Sequence, residues 1–242
     1  METITVATQT TTHQTAPDGR GRNFSALVSF VLAGLAITLT MWSVTWSLSD
    51  LRISGARHFL EDVTRTGGRA VSVDGWNNAV EGLRFARHFN PLSADYPSLL
   101  GRLHMWQSWQ DARAVHTRAY QNAALLRFRQ AVAQRPTWGA GWVQLAEAAA
   151  LLAGINAEVR HALHRAEHFG PWERYVQRKT AWIGIASWKH LSEADRELIR
   201  RTVHRALLID NDVEGLERLS ARYGWQNELF NIIQAAEGRS SD

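Results

Sequence analysis

The chain contains no cysteine, which removes disulfides, thiolate metal sites and cysteine nucleophiles together. Lysine is almost missing too. Lys179 and Lys189 are the two examples, so all but two of the 27 basic residues are arginines. Those arginines are scattered among acids and form no stripe, so a net charge of +4 does not make a nucleic-acid surface. Alternating Val/Ile/Thr stretches are scarce, which argues against a sheet. No GxSxG elbow, HExxH motif or glycine-rich phosphate loop is present, and no catalytic residue, metal ligand or cofactor is expected.

What is present describes a folded, helical protein. Hydrophobic residues at 45% and charged residues at 21% exclude wholesale disorder. From Phe24 to Leu48 the chain carries no charge at all. A helix needs about 20 apolar residues to cross a bilayer core, so this run can span with some tilt. A secretory signal has a shorter apolar region of about 7 to 15 residues, and the run ends in Thr45, Trp46, Ser47 and Leu48, a poor cleavage site. Arg20 and Arg22 precede the run, Asp50 follows it, and Trp42 and Trp46 lie near its far end. This bias puts the N-terminus in the cytoplasm and the bulk of the chain outside it. A bacterial inner-membrane protein with a periplasmic domain is the expectation.

Internal repeats carry the next inference. Ala79, Leu83, Ala86 and Pro91 step by four, three and five, and Ala124, Phe128, Ala131 and Pro136 do the same. Leu163, Ala166 and Pro171 repeat the last two steps. A weaker copy ends at Val203, Ala206 and Asn211, with Asn in place of proline. Small residues at these positions let two helices approach closely, large ones fill the space beside them, and proline cannot continue the helix. Tyr96, Leu100 and Gly101, and later Trp142, Leu145 and Ala146, open the units that follow. The three prolines are 45 and then 35 residues apart, which predicts longer helices between Ala94 and Arg135.

On these motifs the chain resembles tetratricopeptide-repeat proteins across residues 75 to 210. The resemblance implies a right-handed superhelix whose concave face binds peptides or partner proteins. The expected fold is all-α: one transmembrane helix, then a degenerate tetratricopeptide-like α-solenoid of antiparallel helix pairs. Its parts are a disordered cytoplasmic tail (1–22), the span (23–48), a membrane-proximal helical segment (49–74), the repeats (75–211), and C-terminal capping helices with a tail (212–242). The capping pair is expected to break near Gly224.

If the register holds, Arg102, Trp106, Glu147, Arg178 and Trp182 face the groove. Exposed indoles stack on apolar sugar faces, and arginine grips carboxylates with two parallel donors, so a partner protein or a glycan would suit them. Glu147 stands in an alanine-rich helix without an evident acid or base companion. His161, His164 and His168 share a narrow arc of one helix. Val159, Leu163 and Ala166 define the buried face of that helix, so the histidines read as solvated, with no carboxylate placed to orient them.

One further stretch bears on function. Gly170, Pro171 and Trp172 open a segment that continues to Trp188, Leu191 and Arg196. It resembles the VpsP-type family of polysaccharide biosynthesis proteins. The resemblance implies an accessory, non-enzymatic part in exopolysaccharide production, with inner-membrane synthesis or export proteins as partners. Two other roles stay open at this point. One is assembly of another envelope complex, such as a secretion system or cytochrome maturation, and the other is a periplasmic enzyme acting on glycan.

Overall fold

The computed structural model describes residues 19–66, 72–110, 114–210 and 213–238. Among them are ten α-helices, one 3-10 turn and no strand. The chain divides into two compact units, Met1–Ser47 and Leu48–Asp242. The expected N-terminal tail falls largely outside the described residues, as does the Asn211 turn.

The described part of the first unit belongs to α1 (Gly19–Thr66), which is long and apolar enough to cross a membrane. Phe30, Leu35, Ile37, Trp42 and Trp46 are all exposed. Its hydroxyls turn back onto the helix: Thr38 donates to the Leu35 carbonyl at 2.8 Å, Thr40 to Ala36 at 2.8 Å and Thr45 to Trp42 at 2.7 Å. Polar groups satisfied in this way do not demand water, which suits a hydrocarbon environment.

The second unit begins with the last two-fifths of α1 and continues through α2 (Val73–Phe89), α3 (Asp95–Gln110), α4 (Ala114–Gln134), α5 (Gly139–Ala153) and α6 (Ala157–Phe169). There follow α7 (Arg174–Ala186), a 3-10 turn (Trp188–His190), α8 (Glu193–Asp210), α9 (Val213–Tyr223) and α10 (Gln226–Gly238). Consecutive helices from α2 to α8 pack on each other, as do α9 and α10; α5 also packs on α3 and α7, α9 on α7, and α10 on α8. The core runs as three clusters, each drawn from helices near one another in sequence: α1 to α3, α3 to α7, and α7 to α10.

Local chemistry sets the helix ends. Ser72 and Asn156 cap α2 and α6 by accepting from the Gly75 and Val159 amides, both at 2.9 Å. Gly224, with φ of 68°, adopts the left-handed conformation that separates α9 from α10.

The periodic small and large residues are buried as the spacing requires: Ala79, Leu83 and Ala86; Ala124, Phe128 and Ala131; Leu163 and Ala166; Val203 and Ala206. The turns after α2, α4 and α6 share one hydrogen-bond scheme. The Asn90, Arg135 and Gly170 amides donate to the carbonyls of Ala86, Ala131 and Ala166, each at 2.9 Å. Ser93, Trp138 and Glu173 then donate back to Asn90, Arg135 and Gly170 at 3.2 to 3.3 Å. The irregular proline spacing comes from the length of α3 and α4, and the turns themselves are equivalent. Between those two helices Gly101 is a packing necessity, because a Cβ there would lie 2.6 Å from the Phe128 ring.

Candidate functional site

The first helices of successive pairs, α3, α5 and α7, lie side by side. Residues spaced by three or four along each helix share a face, so Arg102 and Trp106 come together on α3, and Gln144 and Glu147 on α5. On α7 the same spacing unites Tyr175, Arg178, Lys179 and Trp182. These faces line two neighbouring clefts. The larger, about 810 Å³, is bounded by Arg102, Trp106, Trp109, Gln144 and Glu147, with Leu60, Val63, Thr64 and Arg65 of α1 as a further wall. The smaller, about 530 Å³, is bounded by Arg174, Arg178, Trp182, Leu216 and Arg218. Tyr175 and Lys179 border both.

The expected groove residues therefore divide: Arg102, Trp106 and Glu147 in the larger cleft, Arg178 and Trp182 in the smaller. Arg102 is half-buried, and Arg178 and Trp182 are exposed. Trp106 corrects the expectation of an exposed indole. It is 8% exposed and meets the Phe59 ring edge-on, with centroids 5.5 Å apart. The open indole of α3 is Trp109, at 59% exposure.

Glu147 is not alone. It is buried, and Lys179 Nζ donates to its Oε1 at 2.5 Å. Lys179 also lies 5.6 Å from the centre of the Trp182 ring, so one ammonium joins the carboxylate of the larger cleft to the indole of the smaller. Ser98 donates to the Gln144 carbonyl oxygen at 2.8 Å, leaving the Gln144 amide nitrogen to serve the Tyr175 hydroxyl. The Tyr175 ring is 40% exposed while its hydroxyl lies among these groups. Burial pushes the Tyr175 phenol above its ordinary value. Lys179 pulls it down and Glu147 pushes it up, while Arg102 and the Gln144 hydrogen bond act with Lys179 without cancelling the rise.

Together these side chains form the walls of two adjoining clefts. The clefts have a buried and internally satisfied polar centre, two open indoles at their edges, and arginines to meet an anion. Periodicity could place α7 on the groove, but Tyr175, Lys179, Gln144 and Trp109 were missed because their value depends on partners on other helices.

The three histidines of α6 behave separately. His161, His164 and His168 are exposed, and His161 lies edge-on to Trp142 at 5.5 Å. Contrary to the sequence expectation, His164 does have an orienting carboxylate: its Nε2 is 3.1 Å from Asp195 Oδ1. Asp195 is buried at the start of α8 and also accepts from Ser192 Oγ at 2.5 Å. Burial pushes its carboxyl up. The hydrogen bonds from Ser192 and His164, with the charges of His164 and Arg160, outweigh that effect and hold it below the ordinary value. Ser192 is hydrogen-bonded to the carboxylate and not to the imidazole, so the trio pins α6 to α8 and does not form a nucleophilic relay.

No family model matches the sequence, and no curated protein matches it.

Proposed function

We propose that this chain is a membrane-anchored, tetratricopeptide-like adaptor with an accessory role in exopolysaccharide synthesis or export. The observation that carries the adaptor reading is the run of aligned first-helix faces on α3, α5 and α7, joined through Lys179. A groove with aromatic edges, arginines and a satisfied polar centre suits an extended segment of a partner protein. Aromatic and arginine side chains dominate the energetics of such surfaces. The anchor reading is supported by the uncharged run from Phe24 to Leu48 and by the exposure of its large apolar side chains. The polysaccharide role rests on the sequence resemblance around residues 170–196, with the domain periplasmic and the N-terminus cytoplasmic.

Photo-crosslinking in native membranes tests the adaptor reading. A photoreactive phenylalanine analogue at Trp109 or Trp182 is expected to capture a discrete membrane protein, and one at exposed Phe230 is not. Equal capture from all three positions would remove the groove from consideration. Deletion of the gene is expected to reduce extracellular polysaccharide, and unchanged polymer would sink the pathway assignment. If the soluble unit cleaved or modified the polymer and Glu147→Gln abolished this, the protein would be an enzyme and not an adaptor.

A further inference from the structure

The second unit starts at Leu48, where the uncharged run ends, and its first buried contact is made at once. Ser49 Oγ donates to the Ala86 carbonyl at 3.2 Å. One turn on, the Arg52 guanidinium lies 5.2 Å from the centre of the Phe85 ring, and Phe85 packs on Phe89 at 4.7 Å. The C-terminal end of α2 is therefore held beside the residues that directly follow the apolar run.

From that point the three proline turns form one continuous edge. Gln134, at the end of α4, donates to the Pro91 carbonyl at 3.2 Å, which sets the second turn against the first. A Cβ on Gly139 would lie 2.8 Å from the Gly170 amide nitrogen, so the third turn abuts the second. Along this edge stand Leu92, 82% exposed, the half-buried Trp138, and Trp172, 65% exposed. Arginines accompany the rings: Arg135 lies 5.4 Å from the Trp138 ring centre and Arg205 5.6 Å from that of Trp172.

Charge on the edge is biased to the positive. Arg52, Arg87 and Arg135 are exposed. The acids are largely engaged: Asp50 lies 3.6 Å from Arg57, and Glu167 is hydrogen-bonded to Arg205. Asp95, at the start of α3, is hydrogen-bonded to the same Arg57 at 2.6 Å, and Glu173 is a further carboxylate there. Apolar and indole side chains interleaved with arginines are the chemistry of the bilayer headgroup zone.

We infer that the proline-turn edge is a lipid-docking surface that lies on the headgroups of an anionic bilayer. The inference rests on the reading of Phe24–Leu48 as a membrane span. Leu92, Trp138 and Trp172 enter the interfacial zone, and Arg87 and Arg135 meet lipid phosphates.

Because the chain has no cysteine, a fluorophore can be placed singly on the full-length protein in lipid nanodiscs. Leu92→Cys reports the edge, Val115→Cys the opposite end of α4, and Ile37→Cys the span. Val115 and Gln134 are about 28 Å apart along the helix at 1.5 Å per residue. Leu92 and Val115 are both about four-fifths exposed, so neither change disturbs the core. With headgroup spin-labelled lipid in phosphatidylglycerol discs, the Leu92 label is quenched and the Val115 label is not. Arg87→Gln with Arg135→Gln shifts the docked-to-free ratio about 30-fold towards free, since an arginine near an anionic surface contributes about 1 kcal/mol and 1.4 kcal/mol is tenfold. A Leu92 label quenched no more than the Val115 label overturns the docking surface. If acyl-chain spin label also fails to quench Ile37, the span reading falls as well. If Ile37 is quenched and Leu92 is not, docking alone fails.

Discussion

Replacing Gly101 with alanine should destabilise the second unit, although alanine is the better helix former. A Cβ at residue 101 would stand 2.6, 2.8 and 3.0 Å from three carbons of the Phe128 ring. Ordinary carbon contacts lie near 3.5 to 4.0 Å, so ring or backbone must give by up to about 1 Å. The ring cannot swing into solvent, because Phe128 is 2% exposed. Overpacking of this kind costs about 1–3 kcal/mol, and the propensity gain of about 0.8–1.0 kcal/mol offsets only part of it. Contacts this short put the cost in the upper half of that range, so a net loss of about 1–2 kcal/mol is expected, which for a unit of this size is roughly 2–8 °C in Tm. Near-ultraviolet circular dichroism of the detergent-solubilised chain would follow it, since tertiary packing is what melts. Phe128→Leu should be destabilising alone, yet less so beside Gly101→Ala, because the smaller side chain makes room for the methyl. An unchanged or raised Tm for Gly101→Ala, or strict additivity in the double variant, would refute the close α3–α4 packing on which the groove depends.

Lys179→Met leaves Glu147 buried without its partner and should cost about 1–3 kcal/mol, reduced from the figure for fully buried pairs because Lys179 is partly open to water; Lys179→Met with Glu147→Leu should recover most of it in urea denaturation. Asp195 titrates below its ordinary 3.8 in the folded chain, so its contribution is complete above that pH and is lost as pH falls from 3.8 through the lowered folded value; Asp195→Asn should flatten that acid limb of the stability curve. His104 is held below its ordinary 6.5, first by burial and then by the charge of Arg127, so the unfolded chain takes up the proton first. Stability should therefore decline as pH drops below 6.5, and His104→Gln should remove that slope in denaturation series between pH 5 and pH 7. Spectrophotometric titration should show one phenol ionising above pH 10 that disappears in Tyr175→Phe.

Much of the frame was legible because its causes are local. Leu83, Ala86 and Pro91 follow the preceding residue of the pattern by four, three and five positions for reasons confined to one helix and its exit. The same spacing at Ala131 and Ala166 gives the same turn hydrogen bonds. The uncharged run before Ser49 and the break at Gly224 are equally local. Burial of a particular ring is not local. Trp106 and Trp109 stand three positions apart on one helix, and periodicity favoured Trp106 for the groove. Phe59, from α1, covers Trp106 and leaves Trp109 open. The reading of the groove as lined by first helices alone omitted the α1 wall, so it did not foresee that Trp106 borders the cleft mostly buried while Trp109 stands open.

The polar centre shows the same limit more sharply. Glu147 and Lys179 are 32 residues apart, and His164 and Asp195 are 31 apart; no helical period relates either pair. They meet because successive helix pairs stack at nearly one repeat length, which sets equivalent helices side by side. This gives a usable inference for a chain of this kind. Once a repeat of about 34 residues is accepted, charged residues of opposite sign one repeat apart on groove-facing positions are candidates for cross-repeat pairs. Glu147 and Lys179, 32 residues apart, come close to that condition. The pair also lies where the two clefts meet, so any ligand long enough to touch both Trp109 and Trp182 must pass over it. On the adaptor reading, a groove ligand should be sensitive to Lys179 even where it makes no direct contact with Glu147, because the lysine lies against the Trp182 indole on one side and pairs with the buried carboxylate on the other.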